Sequence, residues 1–378
     1  MPVLFVLTLA LLVTNACGGG SGSNTGGGGK TQQSQVATPS ITTKAGLNGA
    51  QVVTLSTSTA GATIFYTLDG TTPTSASTQY FAPILITTGV TLNAVGVLAN
   101  YTNSTAASQL FTPSLSPSSL MWSDEFTNST GVPAQPDPTV WTYDTGNSGF
   151  GNNELETYCA WGSTTSPCDT ANPNAYVGTD GYLHIVARNP SPGVYTSARM
   201  KTQGLFSFQY GRLEFRAMVP EAQGFWPAGW LLGNDIATVN WPGCGEQDVM
   251  ERVNVAAWQD TLDWNAGSIH GTGFTGGNIG NKYHFTAGQT AAQWHIYGMA
   301  WTPQSVKYYI DDPVNGVYAT FTPSSITSFN GSVWPFDKGD GAFMIFNLAV
   351  GGSWPGPPDA TTPFPSEVVV DWVRIYNN

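Results

Sequence analysis

Positive charge is scarce in this chain. It carries 12 lysines and arginines against 24 carboxylates, for a net charge of −12. That balance argues against nucleic acid and against an anionic polymer, and leaves a neutral ligand as the natural expectation. Histidine is scarcer still, at 4 in 378 residues with none at ligand spacing, which argues against a Cys/His metal centre. Helical periodicity is nearly absent, so a helix bundle is excluded. The one long apolar run, residues 2–16, is too short to span a bilayer comfortably.

That run reads as a signal-peptide core that lacks its basic flank. It ends at Ala16-Cys17 before Gly and Ser, like a lipobox with Cys17 as the lipidated residue, and plain secretion is the alternative. Residues 1–17 are therefore expected to be a signal peptide, and 18–36, rich in Gly and Ser, a flexible tether. A lipid at Cys17 would be the protein's sole tie to a membrane. Of the other cysteines, Cys159 and Cys168 bracket a short loop and are expected to pair in an oxidising compartment, leaving Cys244 as a buried thiol.

What is present in quantity is turn-forming and aromatic: Gly 44, Pro 25, Trp 13, Tyr 15 and Phe 18. With so few charges this fits a turn-rich, all-β, extracellular protein. Residues 37–112 form short alternating runs, such as Ala62–Thr67 and Thr91–Val97, around the turn Leu68–Pro73. They are expected to be a small Ig-like β-sandwich, and 113–119 a short linker. This module has no acid pair and no histidine, so it is either a carbohydrate binder or a spacer. From 120 to 378 many strand-like runs separated by Gly and Pro predict two stacked sheets of jelly-roll type.

The stretch Gly245-Glu246-Gln247-Asp248-Val249-Met250-Glu251 packs three acids into six residues of an otherwise apolar, β-prone segment running on to Val255. In a strand, Glu246 and Asp248 share a face and Glu251 would turn away. A β-bulge at Val249–Met250 would return Glu251 to that face. Two glutamates so placed, about 5–5.5 Å apart, are what a retaining glycosidase needs: one attacks the anomeric carbon and the other protonates the leaving oxygen. Asp248 between them would help keep one of them protonated. The residues themselves leave open which glutamate attacks.

Beyond the acids, Trp122–Phe126, Asn152–Leu155, Tyr195–Arg199, Tyr210–Arg216, Gly224–Trp230, Asn347–Gly356 and Val370–Tyr376 resemble glycoside hydrolase family 16, and within it the bacterial laminarinases. The small module resembles the chitobiase/β-hexosaminidase C-terminal type. The resemblance implies a concave β-jelly-roll and a retaining endo-β-1,3-glucanase acting on a β-glucan; a relative acting on mixed-linkage glucan or agar, and a non-catalytic glucan binder, are the alternatives. It makes Glu246 the nucleophile, Glu251 the acid/base and Asp248 the residue that tunes them. It adds Asn174, as a cleft-lining residue, and His270, near the acid/base, as substrate contacts. By their chemistry Trp226 and Trp230 are expected to stack on sugars or else pack in the core, Arg199 to bond sugar hydroxyls or else form a salt bridge, and Trp354 to line one end of the cleft. Gln247 stands where the family usually has an aliphatic, and should point away from the cleft. No cofactor is expected in catalysis; a structural calcium is expected on Glu125 and Asp371. The protein is expected to act as a monomer.

Overall fold

A computed structural model describes residues 33–254 and 263–378. The leader with Cys17, most of the tether, and Val255 lie outside the described residues. Among those described, no helix is long and apolar enough to cross a membrane.

The N-terminal module is a sandwich of a three-stranded and a four-stranded sheet, from Ser40–Ala45 to Ala107–Phe111. Alternation closes it: Val53, Leu55, Ile64, Tyr66, Leu92 and Phe111 point inward and form its core. Tyr66 is thereby 6% exposed and offers no face to a sugar. The module starts earlier than the tether reading implies. The Val36 side chain is buried, and its amide donates to the Thr102 carbonyl at 2.9 Å, so the chain is already ordered there.

Residues 113–119 are a link, but not a loose one. Leu115 packs on the core of the larger domain. The Asn377 side chain donates to the carbonyls of Leu115 and Ser116, both at 3.2 Å. Val52 and Leu85 of the module pack against that same core, and the Ser207 hydroxyl donates to the Pro83 carbonyl at 3.0 Å. The module is thus seated on its neighbour.

The larger domain stacks a ten-stranded sheet on a seven-stranded one. The seven strands run in the order Gly280–His284, Trp264–His270, Glu246–Glu251, Phe225–Gly233, Ala342–Val350, Arg199–Lys201, Thr142–Asp144. Every residue of Ala342–Val350 is buried, as befits a strand covered on both faces. The acid-bearing strand therefore lies near the middle of the sheet, between Phe225–Gly233 and Trp264–His270, where its neighbours hold its register on both sides.

Candidate active site

Register places the acids. Glu246 lies opposite His270, and Asp248 opposite Ser268; then three residues of the acid strand advance against two of its neighbour, so that Glu251 meets Ala266. The same slip occurs against the other neighbour, where Trp230 faces Asp248 and Gly229 faces Met250. The strand therefore carries the expected bulge at Val249–Met250, and both of those side chains are buried. Gly267 lies opposite the bulge. A Cβ there would meet the Tyr318 hydroxyl at 2.5 Å and the Tyr308 ring at 2.7 Å, so only glycine fits. Gln247 faces the other way, as expected, and is buried near Cys244 and Phe336.

Each glutamate is held by an indole. Trp226 Nε1 donates to Glu251 Oε1 at 3.0 Å, and Trp241 Nε1 donates to Glu246 Oε2 at 2.9 Å. His270 Nε2 lies 3.0 Å from Asp248 Oδ2 and 3.6 Å from Glu246 Oε1. His270 therefore sits within the acid cluster. Burial and the Asp248 charge push Glu246 up to about 8, and the same two causes push Glu251 up to about 8. Burial alone pushes Asp248 up to about 8. Three acids this close cannot all ionise near neutrality, so the cluster retains protons there, which a general acid requires.

The other expected contacts divide. Trp226 meets Trp354 edge to face at 5.3 Å, and Trp354 lies 6.0 Å from the buried Trp264. These rings form one aromatic wall beside Glu251. Arg199 is committed to an ion pair with Asp144 at 3.0 Å, and its guanidinium covers Trp230 at 4.7 Å. Asn174 is 3% exposed, and its amide donates inward to Val186 O at 2.7 Å and Thr196 Oγ1 at 3.0 Å. It is not brought to the acids: its amide finds its partners inside the fold.

The expected calcium pair does not fit either. Arg374 takes both oxygens of Glu125, at 2.9 and 2.8 Å, and Arg216 takes Asp371 at 2.6 Å. Each carboxylate is already neutralised by a guanidinium. Among the described residues, the one group of three or more His, Cys, Asp or Glu side chains close enough to share an ion is Glu246, Asp248 and His270, within 4.8 Å of one another. That is the acid cluster itself. The disulfide joins Cys159 to Cys168, and Cys244 is free and buried.

Sequence reading missed two parts of the site. Trp241 is 50% exposed in a loop five residues before Glu246 and nothing local marks it as a clamp. The second is a buried relay behind Trp230. Trp230 Nε1 donates to Asn347 Oδ1 at 2.8 Å, Asn347 Nδ2 to the Tyr158 hydroxyl at 3.1 Å, and that hydroxyl to Glu154 Oε2 at 2.7 Å. Next to it Glu156 is fully buried and accepts the Val350 amide at 2.6 Å. Burial, with Glu154 adjacent, raises its carboxyl to about 9 from an ordinary 4.5.

That shift makes stability depend on pH in one direction. Between 4.5 and about 9 the folded chain holds a proton that the unfolded chain has lost. The contribution is complete below 4.5 and is lost as pH rises toward 9. Glu156→Gln removes the titration. It is expected to stabilise the protein by on the order of 2 kcal/mol near pH 8 and to change nothing near pH 4, read from urea unfolding at both values. A variant equal to the parent at both would show that Glu156 is already ionised in the fold.

Known proteins resemble this chain in both parts. Residues 162–374 match Glycosyl hydrolases family 16, and residues 43–109 match the chitobiase/beta-hexosaminidase C-terminal domain. A beta-glucanase of Rhodothermus marinus is 37% identical over 274 residues, covering 68% of this chain and 84% of that protein. A glucan endo-1,3-beta-glucosidase A1 of Niallia circulans is 33% identical over 289 residues, covering 70% of this chain and 38% of that one. The laminarinase catalytic domain of Thermotoga maritima MSB8 superposes with a TM-score of 0.58 at 37% identity, over 70% of this chain and 99% of that one.

Proposed function

This chain belongs to glycosyl hydrolase family 16, and from that premise we propose that it is a retaining endo-β-1,3-glucanase. One observation carries the reading most directly. The bulge turns Glu251 to the same face as Glu246, and each carboxyl is met by an indole N–H. An attacking group and a proton donor therefore share one side of a single strand.

Glu246 is the nucleophile. Its carboxylate attacks the anomeric carbon while Glu251 gives its proton to the departing glycosidic oxygen, leaving a glycosyl ester on Glu246. Glu251, now ionised, takes a proton from water. The water attacks the same carbon from the opposite side, the ester bond breaks, and Glu246 is released as carboxylate. Two inversions return the β configuration. Asp248, beside Glu246 and within reach of His270, raises both glutamates, so the pair retains a proton near neutrality for delivery to the leaving oxygen. The Trp226–Trp354 wall provides apolar ring faces on which a glucosyl unit can stack, and a net charge of −12 suits an uncharged chain.

We place the protein outside the cytoplasm, either lipid-anchored at Cys17 or released. The Cys159–Cys168 bond supports an oxidising location.

The direct test is hydrolysis of laminarin, lichenan and agarose, with the first-formed anomer followed by NMR. Laminarin is expected to be cut fastest, with β-anomer appearing before mutarotation. Initial α-anomer would remove the double displacement, and preferential cutting of agarose would remove the substrate.

A further inference from the structure

The bulge that returns Glu251 to the cleft has a cost. An extra residue leaves a backbone N–H and a C=O without partners in the ladder, and a buried peptide group left that way costs about 1–3 kcal/mol. Here the site is fully interior: Val249 and Met250 are 1% and 0% exposed. Water is therefore not the partner.

The side chain of Asn265 is. This residue lies in the neighbouring strand Trp264–His270, next to Ala266, which faces Glu251, and is itself 0% exposed. Its Oδ1 accepts the backbone N–H of Glu251 at 3.1 Å, and its Nδ2 lies 3.1 Å from the Val249 carbonyl. Nδ2 also reaches the Ala266 carbonyl and the Tyr318 hydroxyl, both at 3.0 Å. A carboxamide presents the same donor and acceptor as a peptide unit. It stands in the ladder where the bulge has removed one, and it grips the chain on both sides of Met250.

We infer that Asn265 is the positioning residue for the acid/base: its amide fixes the bulge, and through the Glu251 backbone N–H it sets the direction in which that carboxyl projects. Asn265 touches neither the sugar nor the reacting atoms. It acts through Glu251, and the inference rests on the reading of Glu251 as proton donor. The chemistry of the amide is specific. Aspartate keeps the acceptor for Glu251 N–H but faces the Val249 carbonyl with a lone pair. Serine is too short to span both groups.

The test compares Asn265→Asp, Asn265→Ser and Glu251→Ala on two substrates. Laminarin has a poor leaving group and needs the proton; a dinitrophenyl β-laminarioligosaccharide has a good one and does not. Both Asn265 variants are expected to lose on the order of 10²-fold in kcat on laminarin. On the dinitrophenyl substrate with azide, which replaces the base-activated water, they should stay within about 5-fold of the parent and release β-glycosyl azide. A parallel fall on both substrates in protein of parental melting temperature would overturn the inference, as would parental activity on laminarin. Glu251→Ala separates the two claims. If it shows the azide signature and the Asn265 variants do not, the positioning role alone falls. If Glu251→Ala itself shows none, the assignment of Glu251 falls and the inference goes with it.

Discussion

Glu246→Ala is expected to abolish laminarin turnover to within measurement, a loss on the order of 10⁴-fold or more. The size follows from what is removed. A nucleophile is not one of several contributors to a step; without it the covalent path does not exist, and what is left is binding and electrostatics. The neighbours cannot substitute. Asp248 lies one repeat along the strand opposite Ser268, is 4% exposed, and lies 3.0 Å from His270 Nε2. Glu251 lies beyond the bulge, bonded to Trp226. The expected result also has a stability side. Burial and Asp248 together raise the Glu246 carboxyl to about 8, so near neutrality the parent folds against a desolvation cost that alanine does not meet. The variant should therefore melt no lower than the parent above about pH 6 while doing no chemistry. A residual rate above one-hundredth of the parent would move the nucleophile elsewhere.

The second large effect is structural. Arg252, the residue after Glu251, forms an ion pair with Asp263, and the two side chains are 1% and 6% exposed. Arg252 Nη1 also reaches the Pro220 carbonyl at 3.2 Å, and Asp263 Oδ2 accepts the Ala291 amide at 2.7 Å. Burial pushes the Asp263 carboxyl up, and the guanidinium opposes that rise. Arg252→Met takes the opposing charge away and leaves an interior carboxyl with only the Ala291 and Trp264 backbone amides for company. Breaking a buried pair from one side in this way costs about 3–5 kcal/mol. Replacing both partners by apolar side chains of similar volume, Arg252→Met with Asp263→Leu, is expected to recover most of that loss, because no charge is then left inside. Urea unfolding of the parent, the single and the double variant measures both numbers. A single variant within about 0.5 kcal/mol of the parent would mean that solvent reaches Asp263. Because Arg252 follows Glu251 directly, the single variant should also lose activity before it loses its fold.

Much of this site was legible residue by residue. The two-residue repeat of a strand puts Glu246 and Asp248 together, and the one-residue excess before Glu251 asks for a bulge; both are local rules, and the bulge lies at Val249–Met250 as they require. The two-sheet architecture follows similarly from many alternating runs broken by Gly and Pro. The expectations that went astray concern residues whose partner is distant in the chain. The family resemblance implies a calcium held by Glu125 and Asp371. Arg374 and Arg216 arrive on neighbouring strands and take them. Asn174 was read as lining the cleft, and Thr196 takes its amide. A sequence lists the groups that want partners but does not rank the candidates.

The sequence alone therefore determined the chemistry available: three acids on one short strand, aromatic residues in plenty, little positive charge, and the spacing that puts two glutamates on one side. Tertiary structure decided how that chemistry is held. Trp241 and Trp226 reach Glu246 and Glu251 from elements outside the acid strand, Asn265 closes the bulge from the next strand, and His270 lies with the first two acids. The physical reason is the range of the forces involved. Side-chain alternation is a property of the backbone over two or three residues, whereas a hydrogen bond across a sheet depends on a register that only the packing of the whole domain establishes.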